Sequence, residues 1–292
     1  MKTCLLVNAA SGGWGRLGGT LASLAAQSGT PIIDICSAPV AELVPSSGRV
    51  VIAGGDGTIS TIVNAVGPRI RELEIALVPT GTGNDLARSL DLFGRPPEEI
   101  WQSCLTAAVS PIDLVRVVNG DTSYIVNAAT GGFGGMVSTD VTSDDKGRWG
   151  ALAYWFTAFS KIAALKEYRV RIELDSETRE LDAYGLAITN GRYVGGGFPV
   201  APDAKLNDGL LDVTTVPNLP TIELLAAGLD FMIGRHDAVD RVETIQSAHV
   251  RVIAEPRIPY SFDGETVRSV DATFDVVTDA MNVVAGEFPP AL

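Results

Sequence analysis

Residues 51–58 read VIAGGDGT. An apolar run halts at two glycines, and a lone aspartate, a glycine and a threonine follow. Apolar residues in an unbroken run suit a strand covered on both faces. Glycines after such a strand leave the backbone open to close approach. Asp56 is then the one reactive group on a turn almost bare of side chains, and it is expected to stand exposed there.

The pattern repeats on either side. CLLVNAASGG (4–13) is a short strand entering a Gly/Ser turn, with a helical segment near RLGGTLASLAAQSG and another strand-like run, PIIDIC. RVVIAGGDGT leads into the helix TISTIVNAV, and EIALVPTGTGNDLARSL repeats the unit, with Asn84 and Asp85 placed to cap the last helix. Strands alternating with helices imply a mostly parallel sheet whose turns gather along one edge, where such folds bind ligands. From about residue 120 the texture changes to many strands, short turns and few helices. A mainly antiparallel, sandwich-like second domain is expected over 119–277, after an α/β domain over 1–118 to which 278–292 would return.

Composition sets limits. The chain has 292 residues, is 46% hydrophobic and carries a net charge of −13. That charge disfavours a nucleic-acid binder, which needs a basic face. The three cysteines, Cys4, Cys36 and Cys104, form neither a disulfide framework nor a metal-ligand spacing, which favours a reducing cytoplasm. No run approaches the roughly 20 apolar residues of a membrane span. His236 and His249 sit in no motif and read as surface or structural residues.

Three glycine turns fall on one expected edge: NAASGG (8–13), GGDGT (54–58) and PTGTGND (79–85). A phosphate chain needs many N–H donors close together and no side chains in the way. Glycine turns entering helix N-termini supply both. The spacing matches neither G-x-x-x-x-G-K-[ST] nor a first-unit G-x-G-x-x-G, so a P-loop NTPase and a dinucleotide oxidoreductase are poor readings.

GGDGT followed by PTGTGNDLAR resembles the catalytic domain of the diacylglycerol kinase and lipid kinase family, which includes sphingosine kinases. GGGFPVAPDAKLNDGLLDV (195–213) is similar to that family's glycine-rich stretch and Asp-Gly-Leu motif, FDGE (262–265) to its late Asp-Gly-Glu motif, and NAASGG to its opening Asn-Pro-x-Ser-Gly loop. The resemblance implies a phosphofructokinase/NAD kinase-like first domain and transfer of the γ-phosphate of ATP, with magnesium, to a diacylglycerol-like lipid hydroxyl. It places Asn8, Ser11, Gly12, Gly54, Gly55, Gly57, Thr58, Thr80, Gly81, Thr82, Asn84 and Asp85 around ATP. Asp56 would stand beside the phosphates. Lys205, Asp208 and the Leu210 carbonyl would make a magnesium-linked site. Glu265, with Asp263 as second choice, would be the general base. Ala9 departs from the family's proline, with a modest expected effect on nucleotide affinity. Without the family, DGE is only a turn, and Asn-Asp-Gly is good hairpin chemistry.

A lipid acceptor implies a cytoplasmic protein touching the membrane surface. Residues 146–171 hold six Lys/Arg (Lys146, Arg148, Lys161, Lys166, Arg169, Arg171) against one acidic residue, with Trp149, Tyr154, Trp155, Phe156 and Phe159 among them. Such a segment reads either as an interfacial helix or as the core face of the second domain. Exposed edge strands would allow a homodimer. Two other functions fit less of the chain: a soluble-substrate kinase of the NAD kinase superfamily, and a non-catalytic nucleotide- or lipid-binding relative.

Overall fold

The computed structural model describes residues 2–132, 166–232, 242–267 and 271–285. Four parallel strands begin the chain: β1 (Thr3–Val7), β2 (Ile32–Asp34), β3 (Gly48–Gly54) and β4 (Leu73–Pro79), in the spatial order β2-β1-β3-β4. Alternation explains their continuous apolar sequences. Leu5, Val7, Val51, Ala53, Ala76 and Val78 face one side, against α1 (Gly12–Gln27) and α5 (Pro97–Thr106). Leu6, Val50, Ile52, Ile75 and Leu77 face the other, against α3 (Asp56–Val66) and the 3-10 turn Gly67–Glu72. On the central strands both faces are covered, and the one charged pair they admit, Arg49 on β3 with Glu74 on β4, is joined by an ion pair at 2.7 Å. Two short helices, α2 (Val40–Leu43) and α4 (Asp85–Ser89), complete this part.

The second part is antiparallel and surrounds its own core of Tyr168, Val170, Ile188, Val213, Val250, Tyr260 and Phe274. Its strands are β5 (Val109–Val118), β6 (Thr122–Ile125), β7 (Ala128–Gly132), β8 (Tyr168–Leu174), β9 (Thr178–Thr189), β10 (Leu211–Pro217), β11 (Thr244–Ser247), β12 (His249–Glu255), β13 (Tyr260–Phe262), β14 (Glu265–Val267) and β15 (Ala272–Val284). Helix α6 (Thr221–Met232) follows β10. The expected fold class is therefore present, an α/β unit joined to a β-sandwich-like one. Strand β15 belongs to both: His249 pairs with Asp275 on it, while its Asn282 and Val283 lie parallel to Glu74 and Ile75 of β4.

Two local readings change. The stretch SYIVNAATGG is two strands rather than one, because the backbone turns at Val126 and Asn127 and points successive N–H groups at Asp263. Within 146–171, Arg169 and Arg171 lie on β8 rather than on a helix, and ion pairs hold them to Asp182 and to Glu173 and Glu180 respectively. Period-two alternation of buried Tyr168, Val170 and Ile172 with exposed arginines produces a strand there. Residues 146–165 lie outside the described residues, and so does His236. Among the described residues, no helix is long and apolar enough to cross a membrane.

Candidate active site

The three glycine turns meet at the C-terminal ends of β1, β3 and β4, and they pack backbone to backbone. A methyl group on Gly13 would stand 2.1 Å from the Thr80 carbonyl oxygen, and one on Gly81 would stand 2.5 Å from Gly55 Cα. The Thr80 N–H donates to the Gly54 carbonyl at 3.1 Å. These glycines are needed for loop-to-loop packing. Gly12 and Gly57 differ, since a methyl group on either would meet nothing within 4 Å. Their bareness faces open space.

Polar side chains of the turns mostly hold the turns themselves. Ser11 caps α1 by accepting from the Trp14 N–H at 3.1 Å. Asn8 Oδ1 accepts from the Ala10 N–H at 3.1 Å. Buried Asn84 adopts a left-handed conformation, φ 54°, and clamps Gly81 from both sides, accepting from its N–H and donating to its carbonyl. The departure at Ala9 has a local consequence: its N–H donates to Asp34 Oδ1 at 3.2 Å, a bond proline would lack. Thr58 lies at the first turn of α3 and Thr82 on the exposed rim of the third loop, between Gly81 and Gly83.

Asn84 and Asp85 do not cap α4 with their side chains. Asp56 does so from the adjacent helix. Its Oδ2 accepts from the Asp85 N–H at 3.1 Å and its Oδ1 from the Leu86 N–H at 3.2 Å. Asp56 is therefore half-buried rather than freely exposed. The Asp85 carboxylate turns to the second part of the molecule, where Oδ1 and Oδ2 accept from the Gly196 N–H at 3.0 and 3.1 Å. Both carboxylates flank Gly83, where an added methyl group would stand 3.0 Å from Asp56 Oδ2 and 3.8 Å from Asp85 Oδ2. Burial pushes both carboxyls above their ordinary range, and for Asp85 the Asp56 charge adds to this. Two desolvated like charges so placed favour a bound cation. Arg88 is held to the Gly83 carbonyl at 3.2 Å and stacks 3.5 Å over Phe93. It was outside the expected site, because its place near the Asp85 and Asp56 charges could not be read from spacing.

Asp263 joins this group from the other side. Asp263 and Gly264 have φ of 46° and 92° and form the two-residue turn between β13 and β14, where Asp-Gly is favoured. Asp263 Oδ1 accepts from the Asn127 and Ala128 N–H groups at 2.9 and 3.1 Å, and Oδ2 from the Val126 N–H at 2.8 Å. Burial raises its carboxyl to about 6, the three N–H groups oppose the rise, and the Asp56 charge adds to it. Glu265 begins β14 and is exposed. Lys205, Asp208 and Leu210 lie apart, on the segment entering β10. Lys205 and Asp208 are exposed, and Asp208 Oδ1 accepts from the Leu210 N–H at 3.1 Å.

The arrangement is that of a diacylglycerol-kinase-type phosphotransferase. Residues 2–117 match the model of the diacylglycerol kinase catalytic domain, and residues 127–285 that of the YegS C-terminal NAD kinase beta sandwich-like domain. A protein of Shewanella frigidimarina described as "Probable lipid kinase YegS-like" is 31% identical over 84% of this chain and 79% of its own. One of Stenotrophomonas maltophilia with the same description is 32% identical over 75% and 73%. A solved diacylglycerol kinase structure from Bacillus anthracis has a TM-score of 0.71 at 19% identity, covering 99% of this chain and 97% of that one. An NAD kinase from Archaeoglobus fulgidus in complex with ATP shares the fold, with a TM-score of 0.56 at 14% identity, covering 98% and 94%. The chain belongs to the YegS-like lipid kinase family, and it is a kinase.

Proposed function

We propose that the protein transfers the γ-phosphate of ATP to the hydroxyl of a diacylglycerol-like lipid in the presence of magnesium. The observation that carries this reading is the pair of carboxylates, Asp56 and Asp85, that flanks Gly83 in the third glycine turn, with Asp263 near enough for the Asp56 charge to act on it. The turns offer N–H donors and open space at Gly12 and Gly57 for a phosphate chain. Among the described residues no three His, Cys, Asp or Glu side chains converge as a ready metal cluster. Magnesium accepts that, because it keeps several waters and needs only one or two carboxylates alongside phosphate oxygens. Asp56 and Asp85, pushed above their ordinary range by burial, fit such an ion. When bound, it would offset the phosphate charge.

The chain's own residues do the rest by positioning. The lipid hydroxyl attacks the γ-phosphorus, a new O–P bond forms, and the bond to the β-phosphate oxygen breaks. Glu265 takes the hydroxyl proton. Its carboxylate is exposed, whereas Asp263 has three of its roughly four lone-pair sites occupied by backbone N–H groups. Asp263 therefore positions the hairpin that carries Glu265. Ile222 and Leu229, seven residues apart on α6 and 74% and 52% exposed, support contact with a lipid surface. The test is transfer of label from γ-labelled ATP, with magnesium, to mixed micelles of diacylglycerol. An organic-extractable labelled product is expected. ATP turnover without a lipid product would overturn the acceptor class.

A further inference from the structure

The proposed site meets the phosphates of the donor and leaves its nucleoside without a partner. Strand order gives the direction in which that partner lies. Asp56 and Asp85 follow β3 and β4, and Asp85 reaches the second part of the molecule at the Gly196 N–H. The transferred phosphate belongs at that end, beside the acceptor. A donor lying along the same sheet edge then runs back across the β1 turn toward β2, the outermost strand. Neighbouring strands stand about 4.8 Å apart, so β2 lies roughly 10 Å from β3, with room for a phosphate chain between them.

Strand β2 ends on Asp34. Register sets Asp34 level with Val7, the last residue of β1, and the Ile35 N–H donates to the Val7 carbonyl at 2.9 Å. The Asp34 carboxylate therefore stands beside the first glycine turn. Its Oδ1 accepts from the Ala9 N–H at 3.2 Å and from the Cys36 N–H at 3.1 Å. The Asp34 carbonyl accepts from the Ser37 N–H at 3.1 Å and from the Ser37 hydroxyl at 2.7 Å. These bonds fix the side chain and the turn behind it. Among the described residues, Oδ2 has no hydrogen-bond partner. Asp34 is half-buried, so this oxygen is held in place without being sealed from a ligand. A ribose offers what it lacks, a neutral hydroxyl donor. In dinucleotide folds a carboxylate at the end of the second strand, about 20 residues past the first glycine turn, takes the ribose 2′-hydroxyl. This chain lacks the glycine spacing of those folds, but it has the same succession of β1, turn, α1 and β2, with Asp34 at the corresponding end.

We propose that Asp34 sets the nucleoside specificity of this kinase by accepting a hydrogen bond from the ribose 2′-hydroxyl of the phosphate donor. The inference deepens the reading above and rests on its nucleotide donor, not on its lipid acceptor. Ala9 acquires a part in it. The Ala9 N–H orients the Asp34 carboxylate, and the proline that the resembled family carries there has no N–H to give. The specificity therefore belongs to this chain's own pairing of Ala9 with Asp34.

Calorimetric titration of the full chain with ATP and with 2′-deoxyATP, in the absence of lipid, tests this. Kinase activity plays no part, so a failed lipid assay leaves the result intact. Wild type should bind ATP tighter than 2′-deoxyATP by about tenfold or more, the worth of a hydrogen bond to a charged group. Asp34→Asn keeps an acceptor for the turn, so it should melt like wild type and yet lose most of that preference. Asp34→Ala should bind the two nucleotides alike. Ala9→Pro, which leaves the carboxylate in the chain but takes away its N–H, should weaken ATP more than 2′-deoxyATP. Equal affinity of wild type for the two nucleotides, or a preference that survives in Asp34→Ala, overturns the proposal and leaves Asp34 to shape the turn. Binding of neither nucleotide by wild type overturns the nucleotide reading itself, and this inference falls with it.

Discussion

The carboxylate of Asp56, the first residue of α3, closes the N-terminus of α4 by accepting from the backbone N–H of Asp85 at 3.1 Å. One group therefore joins the second and third glycine turns. Asp56→Asn keeps an acceptor for one of the two N–H groups. The variant should fold and bind ATP, while phosphate transfer falls by orders of magnitude. Asp56→Ala loses the cap as well and should cost about 1–3 kcal/mol. Calorimetric ATP titration, thermal melts and labelled transfer separate these effects. Transfer at the wild-type rate in Asp56→Asn would sink the catalytic role.

The two carboxylates of FDGE should separate in the same way. Glu265→Gln is expected to melt like wild type and bind ATP normally, yet to lose transfer by at least a hundredfold. Asp263→Asn removes acceptors from a set of three backbone N–H groups and should lower the melting temperature as well as activity. Full activity in Glu265→Gln would move the proton-accepting role to Asp263.

Gly57 lies in the first turn of α3, and a methyl group there meets nothing within 4 Å. Gly57→Ala should therefore hold or raise stability, by about 0.5–1 kcal/mol, since alanine favours helix. ATP affinity should fall at least tenfold if phosphate fills the open space. Gly13→Ala should do the reverse and damage the fold itself, because its methyl group would collide with the Thr80 carbonyl. Melting and calorimetry on the pair read both outcomes.

Without nucleotide or divalent ions, stability should fall as pH rises through about 4 to 7. Asp263 is raised from 3.8 to about 6 and Asp85 to about 7, and Asp56 is raised too. In that window the folded chain holds protons that the unfolded chain has released, so raising the pH favours unfolding. Their contribution is fully present below 3.8 and is lost as pH passes the raised values. Asp175 and Asp275 are lowered, so their contribution is present above 3.8 and lost below it. Asp85→Asn should flatten the fall. A melting temperature that climbs steadily from pH 4 to 7 would contradict this.

Much of the molecule is legible in one dimension. Short, β-branched apolar runs such as VVIA and IALV, each closed by a glycine turn, suit strands covered on both faces, and a helical pattern repeats after each turn. Those local signals carry the parallel unit and the position of its turns. The break at Val126 and Asn127 is not legible, because its cause, the Asp263 carboxylate, lies 136 residues away from Asn127. The full exposure expected of Asp56 fails for a similar reason, since the helix end that covers it belongs to the following repeat.

The sequence by itself determined which residue types are available: three glycine turns, a carboxylate beside each of two of them, and a late Asp-Gly-Glu turn. Local backbone preferences and strand periodicity are short-range, so they survive without the fold. Only the tertiary structure decided what each group does. It assigned Asn84 to clamp a loop, Asp56 to cap a neighbouring helix and Asp263 to gather three N–H groups. Those outcomes depend on which backbone donors lie within about 3 Å of an acceptor and on how much water is excluded there, and only the folded chain sets either.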